Sequence, residues 1–341
     1  MSAASFQRGY IISPQSDFLW FFILPLIAVA AATLSHLTLP GVGLLIASVG
    51  VTVPHHFVTW MRVYGSPVEF SRWRTRLVLI PVVFIPAVFL MSKQIPLGLI
   101  LLIYLWDNQH SIMQQYGFGR IYDFKAGTGG ENTARFDYYL HWALFLNMLL
   151  VSPVFTNYWV QMLQSFNIDV TTALVSSVHT VSWAATGLYA GAYVLHLVGC
   201  RERGEAFNLA KYRFLFVSYA VWYGLAFATS SLLVWSIGHR IMHGGQYIVM
   251  VYFYNRNNVE RSGGDSRFLR YLGQPGALHI AVFLAVCAGY TLFFWQLSLQ
   301  RNFSQEFDLL AVSLMSSFGL IHYYFDSFIW KVRKIETQKN L

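Results

Sequence analysis

Apolar runs of about twenty residues alternate with short polar connections along nearly the whole chain. A bilayer core about 30 Å thick needs roughly 20 apolar residues per helix. Runs of that kind fall near 18–38, 41–62, 76–92, 95–117, 137–155, 171–199, 212–229, 232–254, 276–297 and 308–330. The pattern predicts an all-α, polytopic membrane helical bundle of about ten transmembrane helices. The seventh and eighth runs are the least sharply divided, since only the Ser230-Ser231 region separates them. No repeat of fixed period and no Pro/Ser-rich linker interrupts the series, so residues 1–341 read as a single transmembrane domain. The run that follows Ser13 to Asp17 is too long for a signal-peptide core and has no small-residue cleavage site after it, so no removable signal is expected.

Composition sharpens this. The 341 residues are 56% hydrophobic and only 11% charged, against roughly 25% charged in soluble domains. An ordinary cytosolic globule, a disordered tail and a coiled coil are excluded. With Cys200 and Cys287 alone, neither a disulfide scaffold nor a thiolate metal site can be built. The net charge of +8 would suggest nucleic acid in a soluble protein, but the distribution of the charge says otherwise. With the N-terminus inside, the cytoplasmic segments hold Arg8; Arg62, Arg72, Arg74, Arg76; Arg120, Lys125, Arg135; Arg201, Arg203, Lys211, Arg213; Arg256, Arg261, Arg267, Arg270; and Lys331, Arg333, Lys334, Lys339. Only Lys93 and Arg301 fall outside and Arg240 within a span. This is the bias that orients membrane proteins, and it predicts both termini cytoplasmic. Orientation and contact with anionic lipid account for the basic loops without nucleic acid. The longest polar connection, Phe118 to Phe136, carries a glycine cluster (Lys125 to Gly130) that reads as a flexible loop, because no phosphate-binding motif surrounds it.

Ionisable groups inside a membrane mark function by default. Three formal charges remain in the spans: Asp107, Arg240 and Asp326, each close in sequence to a histidine. The histidine stretches are Pro54-His55-His56, Asp107 to His110, His239 to His243, and His322 to Asp326. On the ten-span topology their four helices run in one direction, from outside to inside. The distances to the next cytoplasmic basic residue then place the imidazoles within about 10 Å of one depth, at about 1.5 Å per residue. His239 and His243, at i and i+4, share one helix face, the arrangement by which one helix supplies two ligands to a metal. His55, His56, His110, His239, His243 and His322 are therefore the candidate metal ligands. Asp107 and Asp326 can ligate, or can accept from a ligating imidazole and orient it. Tyr323, Tyr324, Trp60 and Tyr247 read first as packing and interface aromatics, with Tyr247 kept beside Asp107 and Asp326 among the catalytic candidates. Arg240, one residue from His239 and so about 100° around the helix, should point away from the metal. His36, His141, His179, His196 and His279 read as helix-to-helix hydrogen-bonding groups. Gly244-Gly245 allows either close helix approach or entry of a long flat substrate.

On Pro54-His55, His110, the His239/His243 pair and His322 the chain resembles the Brp/Blh family of bacterial membrane enzymes, which cleave β-carotene with dioxygen to give retinal. The resemblance implies a non-haem iron held by those histidines, in a protein of the bacterial cytoplasmic (inner) membrane. It is less similar to membrane fatty-acid desaturases, since no HxxHH box occurs. The expected activity is that of an iron-dependent oxygenase or oxidoreductase acting with O2 on a lipid-like, carotenoid or isoprenoid substrate taken from the bilayer. One iron is favoured, and His56, Asp107 and Asp326 leave room for a dinuclear site. No electron donor is indicated. Two other classes use the same residues: a bis-His haem electron carrier and a proton- or metal-coupled transporter, whose internal repeat symmetry is not evident here.

Overall fold

The computed structural model describes residues 6–38, 40–299, 305–331, 335–338 and 340–341. Arg301, Arg333, Lys334 and Lys339, assigned above to loops, lie outside the described residues. The architecture is all-α apart from one short parallel pair, β1 (Phe6–Gln7) with β2 (Phe207–Asn208). In chain order the main helices are α1 (Pro14–Leu37), α2 (Gly41–Gly65), α3 (Pro67–Gln94), α4 (Pro96–Ala126), α5 (Glu131–Val151), α6 (Pro153–Ser165), α7 (Thr172–Glu202) and α8 (Leu209–Ala228). They are followed by α9 (Leu232–Ser262), α10 (Arg267–Leu272), α11 (Ala277–Leu299) and α12 (Gln305–Ile329).

Their ends follow from local chemistry. Ser13, Ser66, Thr171 and Ser266 each accept a backbone N–H from the first turn of the helix they precede, satisfying donors that have no partner inside the helix. Pro67 and Pro153 begin helices where a missing N–H costs nothing. At Ser152-Pro153 the fifth apolar run breaks. It was expected to continue to residue 155, but α5 stops at Val151 and α6 departs at 70°, because a proline cannot donate back into the preceding turn.

Among the described residues four helices are long and apolar enough to cross a membrane: α1, α2, α3 and α7. Counting the bent α5–α6 pair as one span makes five. Their outward faces carry Leu79, Val82, Leu188 and Leu195 at 53%, 64%, 77% and 73% exposure, a density of bare aliphatic surface that water does not tolerate in a monomer. The remaining apolar runs also fold as helices, but α4, α9 and α12 carry the polar residues of the histidine stretches and are less apolar for that reason.

The chain forms two compact units: the segment up to Leu45 with Ile112–Met242, and Ile46–Ser111 with His243–Leu341. In the first unit, Asn208 ties three segments together. Its amide donates to the carbonyls of Gly9 and Tyr122 while its carbonyl caps α8 at Ala210. Phe21, Phe118, Tyr122 and Phe214 pack edge to face beside it. Several charges expected in solvated loops are buried here. Lys211, fully enclosed, donates to Asp123 at 2.8 Å and Asp137 at 2.6 Å. Arg120 donates to Asp123 and to the Gly129 carbonyl, and Tyr193 donates to Asp137. The long polar connection is accordingly short: α4 runs on to Ala126 and α5 begins at Glu131, because pairing lets the helix bury its charges instead of unwinding.

Burial alone would discharge Lys211, but Asp137 and then Asp123 outweigh it and raise its pKa above the ordinary lysine value. A raised cationic pKa stabilises the fold below the unfolded-state value of about 10.4 and loses that contribution only as pH rises through the folded value. Lys211→Met, which leaves two carboxylates buried without their cation, should lower unfolding free energy by about 3–5 kcal/mol. Thermal unfolding in detergent at neutral pH should show this as a large drop in Tm, and an unchanged Tm would refute the assignment.

Candidate metal centre

In the second unit α2 lies against α3 and α12 on one side and against α9 and α11 on the other. Val63, Leu77, Ile321, Phe325 and Phe328 fill the first seam, and Val58, Met61, Tyr247, Val251 and Phe283 the second. Gly244 sets the closest approach: a Cβ there would stand 2.7 Å from Val51 Cγ1 and 3.4 Å from His55 Cβ. With a hydrogen at that position α9 packs against α2 without displacing the Val51 side chain, so Gly244 serves close helix packing.

These seams bring the imidazoles together. The rings of His55, His243, His110 and His322 form a closed circuit, with successive centroids 4.9, 5.1, 4.9 and 4.4 Å apart. His56 lies beside it, 4.8 Å from His322. His55, His110, His243 and His322 are all buried. Three sets of donors lie close enough to hold an ion: His55, His110 and His243; His55, His56 and His322; and His110, His322 and Asp326.

A second layer of hydrogen bonds fixes the first. Tyr247 Oη donates to Asp326 Oδ1 at 2.7 Å, and Thr59 Oγ1 donates to the same oxygen at 3.1 Å. Trp330 Nε1 donates to Tyr247 Oη at 2.9 Å. With the Thr59 proton so used, its oxygen accepts from His322 Nδ1 at 2.9 Å. The tautomer assigned by this network carries its proton on Nδ1 and turns the Nε2 lone pair inward, the usual way a protein orients a ligating imidazole.

Three observations fit a cation. His322 Nε2 faces His55 Nε2 at 2.8 Å, a distance at which two lone pairs need a proton or a cation between them. Bonds of ~2.1 Å to one ion would make these two nitrogens subtend roughly 84°, close to adjacent octahedral positions. Asp326 Oδ2 stands 3.8 Å from His322 Nε2 and 4.0 Å from His110 Nε2, too far to hydrogen-bond and close to twice a metal–ligand bond. Finally, His55 Nδ1 and His110 Nε2 are buried with no hydrogen-bond partner among the described residues.

The remaining candidates fall elsewhere. Asp107 accepts from Tyr323 at 2.9 Å, and Tyr323 stacks on His110 at 4.7 Å. Asp107 thus acts on the imidazole through an aromatic ring and belongs to no donor set. His239 and Arg240 fall in the other compact unit, where the His239 ring stacks on Trp235 at 4.7 Å and 12°. One helical turn thus separates an imidazole in the donor cluster from one packed on tryptophan. His179 and His196 bond to Thr156 and Thr133, while His141 bonds the Asp137 carbonyl of its own helix. Thr59, Trp330 and Arg62 were not foreseen. Arg62, expected in a cytoplasmic connection, is buried with its guanidinium 3.6 Å from the Trp330 ring and 4.1 Å from Tyr254. A flat, weakly hydrated cation can be buried against aromatic faces where a lysine could not.

Comparison of the chain with family models, with curated proteins and with solved structures gives no significant match.

The orienting layer makes a test. Thr59→Val leaves His322 Nδ1–H without its acceptor, which should cost about 1–3 kcal/mol and weaken metal binding roughly 10–100-fold. Thermal unfolding and anaerobic Fe(II) titration measure the two effects, and wild-type metal affinity in this variant would sink the assigned orientation.

Proposed function

We propose that the chain is a membrane-embedded, histidine-ligated iron oxidoreductase that acts with dioxygen on an apolar substrate of the carotenoid or wider isoprenoid class. The observation that carries this reading is the His110–His322–Asp326 set. Two imidazoles and one carboxylate with positions left open is the donor pattern of non-haem Fe(II) oxygenases. His55, His56 and His243 supply further imidazoles to the same centre. The resemblance to the Brp/Blh family points to the same chemistry.

The packing of the rings argues against haem. Two axial imidazoles on opposite sides of one iron need their nitrogens about 4 Å apart, given bonds near 2.0 Å, and His55 and His322 stand at 2.8 Å. The neighbouring imidazoles occupy the space a macrocycle would need. A proton-conducting transporter needs its groups strung out across the membrane. Here they converge on one layer.

Bound iron supplies the electron and dioxygen chemistry that side chains lack. The chain's own residues do the rest. Tyr247 holds a proton against Asp326 Oδ1, while Thr59 and Asp326 keep His322 turned inward. Trp106 and Phe84 continue from Tyr323 in an aromatic wall beside His110. The wall reaches α3, whose outer side chains Val82 and Leu90 are exposed, and an apolar substrate enters along it from the bilayer. The protein sits in a bacterial inner membrane with ten spans and both termini cytoplasmic, the arrangement its basic residues favour.

The test is elemental analysis and an optical spectrum of the detergent-purified full chain, loaded anaerobically with Fe(II), together with O2 uptake in vesicles containing β-carotene. Retained iron without a Soret band, lost in His55→Ala and His322→Ala along with carotenoid-dependent O2 uptake, is expected. A folded wild type that retains no iron overturns the reading, as does a Soret band.

A further inference from the structure

One ionisable group of the histidine stretches takes no part in the donor sets. Asp107 lies within the apolar run 95–117, half-buried on α4. Its carboxylate has a single hydrogen bond among the described residues, donated by Tyr323 Oη to Oδ1 at 2.9 Å. Oδ2 has no partner among them and is not enclosed by protein. An ionised carboxylate accepts up to about four hydrogen bonds, and leaving that capacity unused in apolar surroundings is costly. Holding Tyr323 against His110 accounts for Oδ1 alone. A neutral amide would do that without a charge, so the second oxygen calls for a donor of its own.

The surroundings say what kind of molecule brings that donor. Trp106, Phe84 and Tyr323 form the aromatic wall beside Asp107. Ile100, two helical turns before Asp107 on the same face of α4, is 52% exposed. This is a surface for rings, chains and methyl groups, with one anionic acceptor set into it. A hydroxyl on an apolar skeleton meets both demands, since its O–H donates to the carboxylate while the skeleton packs on the wall.

We propose, on the reading of the site as a centre for isoprenoid substrates, that Asp107 binds a hydroxyl group of the substrate, so that the site selects hydroxylated isoprenoids over the corresponding hydrocarbons. Oδ2 accepts from that hydroxyl while Oδ1 keeps Tyr323 stacked on His110. Such a bond is charge-assisted, and an analogue without the hydroxyl leaves the acceptor bare. Asp107 precedes His110 by three residues, about 4.5 Å along the helix axis. A hydroxyl held there brings the carbons next to it to the donor cluster, so the end of the molecule that carries the hydroxyl is the end presented for reaction.

Binding to the metal-free, detergent-purified full chain tests this apart from catalysis. Quenching of tryptophan fluorescence at matched carotenoid-to-detergent ratios gives affinities for zeaxanthin and β-carotene, which differ by a hydroxyl on each end ring. The wild type should bind zeaxanthin roughly 10–100-fold more tightly. Asp107→Ala should lose that preference and keep its affinity for β-carotene, whereas Tyr323→Phe, which leaves the carboxylate in place, should keep the preference. Equal wild-type affinities, or binding of neither carotenoid, overturn the proposal, as does a preference that survives in Asp107→Ala. A preference lost as fully in Tyr323→Phe also overturns it, because the carboxylate would then act only through the tyrosine. Should the alanine variant not fold, Asp107→Asn decides: its preference should fall well below that of the wild type, and an undiminished one refutes the role of the carboxylate. Iron content is read separately. A folded chain that prefers zeaxanthin but retains no iron overturns the iron centre and leaves the hydroxyl site standing, and equal affinities in a chain that retains iron do the reverse.

Discussion

A hydroxyl group one helical turn from a histidine holds this centre in order. Thr59 Oγ1 accepts the Nδ1 proton of His322 and passes its own proton to Asp326, which also takes the proton of Tyr247. Three helices, α2, α9 and α12, are joined by these bonds. In a low-dielectric interior such a network is fully satisfied or very costly, so the rotamers of its members are mutually dependent. Its outcome is a set of imidazole nitrogens pointing at one another, an arrangement that is stable with a cation or a proton between them and repulsive without one.

The same network shows a layered plan. His55, His243 and His322 are each followed four residues later by Thr59, Tyr247 and Asp326; those three residues bond to one another, and the His55 ring packs against both other imidazoles. Beyond them, one turn on for Arg62 and Trp330 and two turns on for Tyr254, these three residues stack together. Residues four apart lie on one face of a helix, so three helices packed in register produce successive matched layers. Donors come first, then groups that orient them, then an aromatic clamp around a buried guanidinium. Gly244 suits this close packing of α9 on α2, since a Cβ there would meet the Val51 side chain at 2.7 Å.

Two kinds of polar residue are buried in this molecule, and they do different things. In the first unit Lys211, Arg120, Asp123 and Asp137 neutralise one another by direct ion pairs and leave no donor set for a ligand. In the second unit Asp326 meets its histidines at 3.8–4.0 Å, beyond hydrogen-bond reach. The first cluster is closed by its own ion pairs, whereas the second is not closed by direct bonds between Asp326 Oδ2 and the imidazoles.

Much of this was legible in the chain alone. The all-α architecture follows from runs of apolar residues, and the gathering of His55, His56, His110, His243 and His322, which the structure shows, was expected from their place in the histidine stretches. The first is a consequence of periodicity, which acts along the sequence; the second was expected from the ten-span reading, and the structure shows the gathering itself. Rotation about the helix axis is different. Nothing in the HxxxH spacing says that His243 joins the donors while His239 stacks on Trp235, or that Asp326 faces the donors while Asp107 reaches His110 only through Tyr323. The burial of Lys211 and Arg62, and the bend at Ser152-Pro153, likewise depend on partners distant in sequence. Depth and class are set by composition along each segment. Which face of each helix meets which neighbour is decided by packing between segments, and only the tertiary structure contains that.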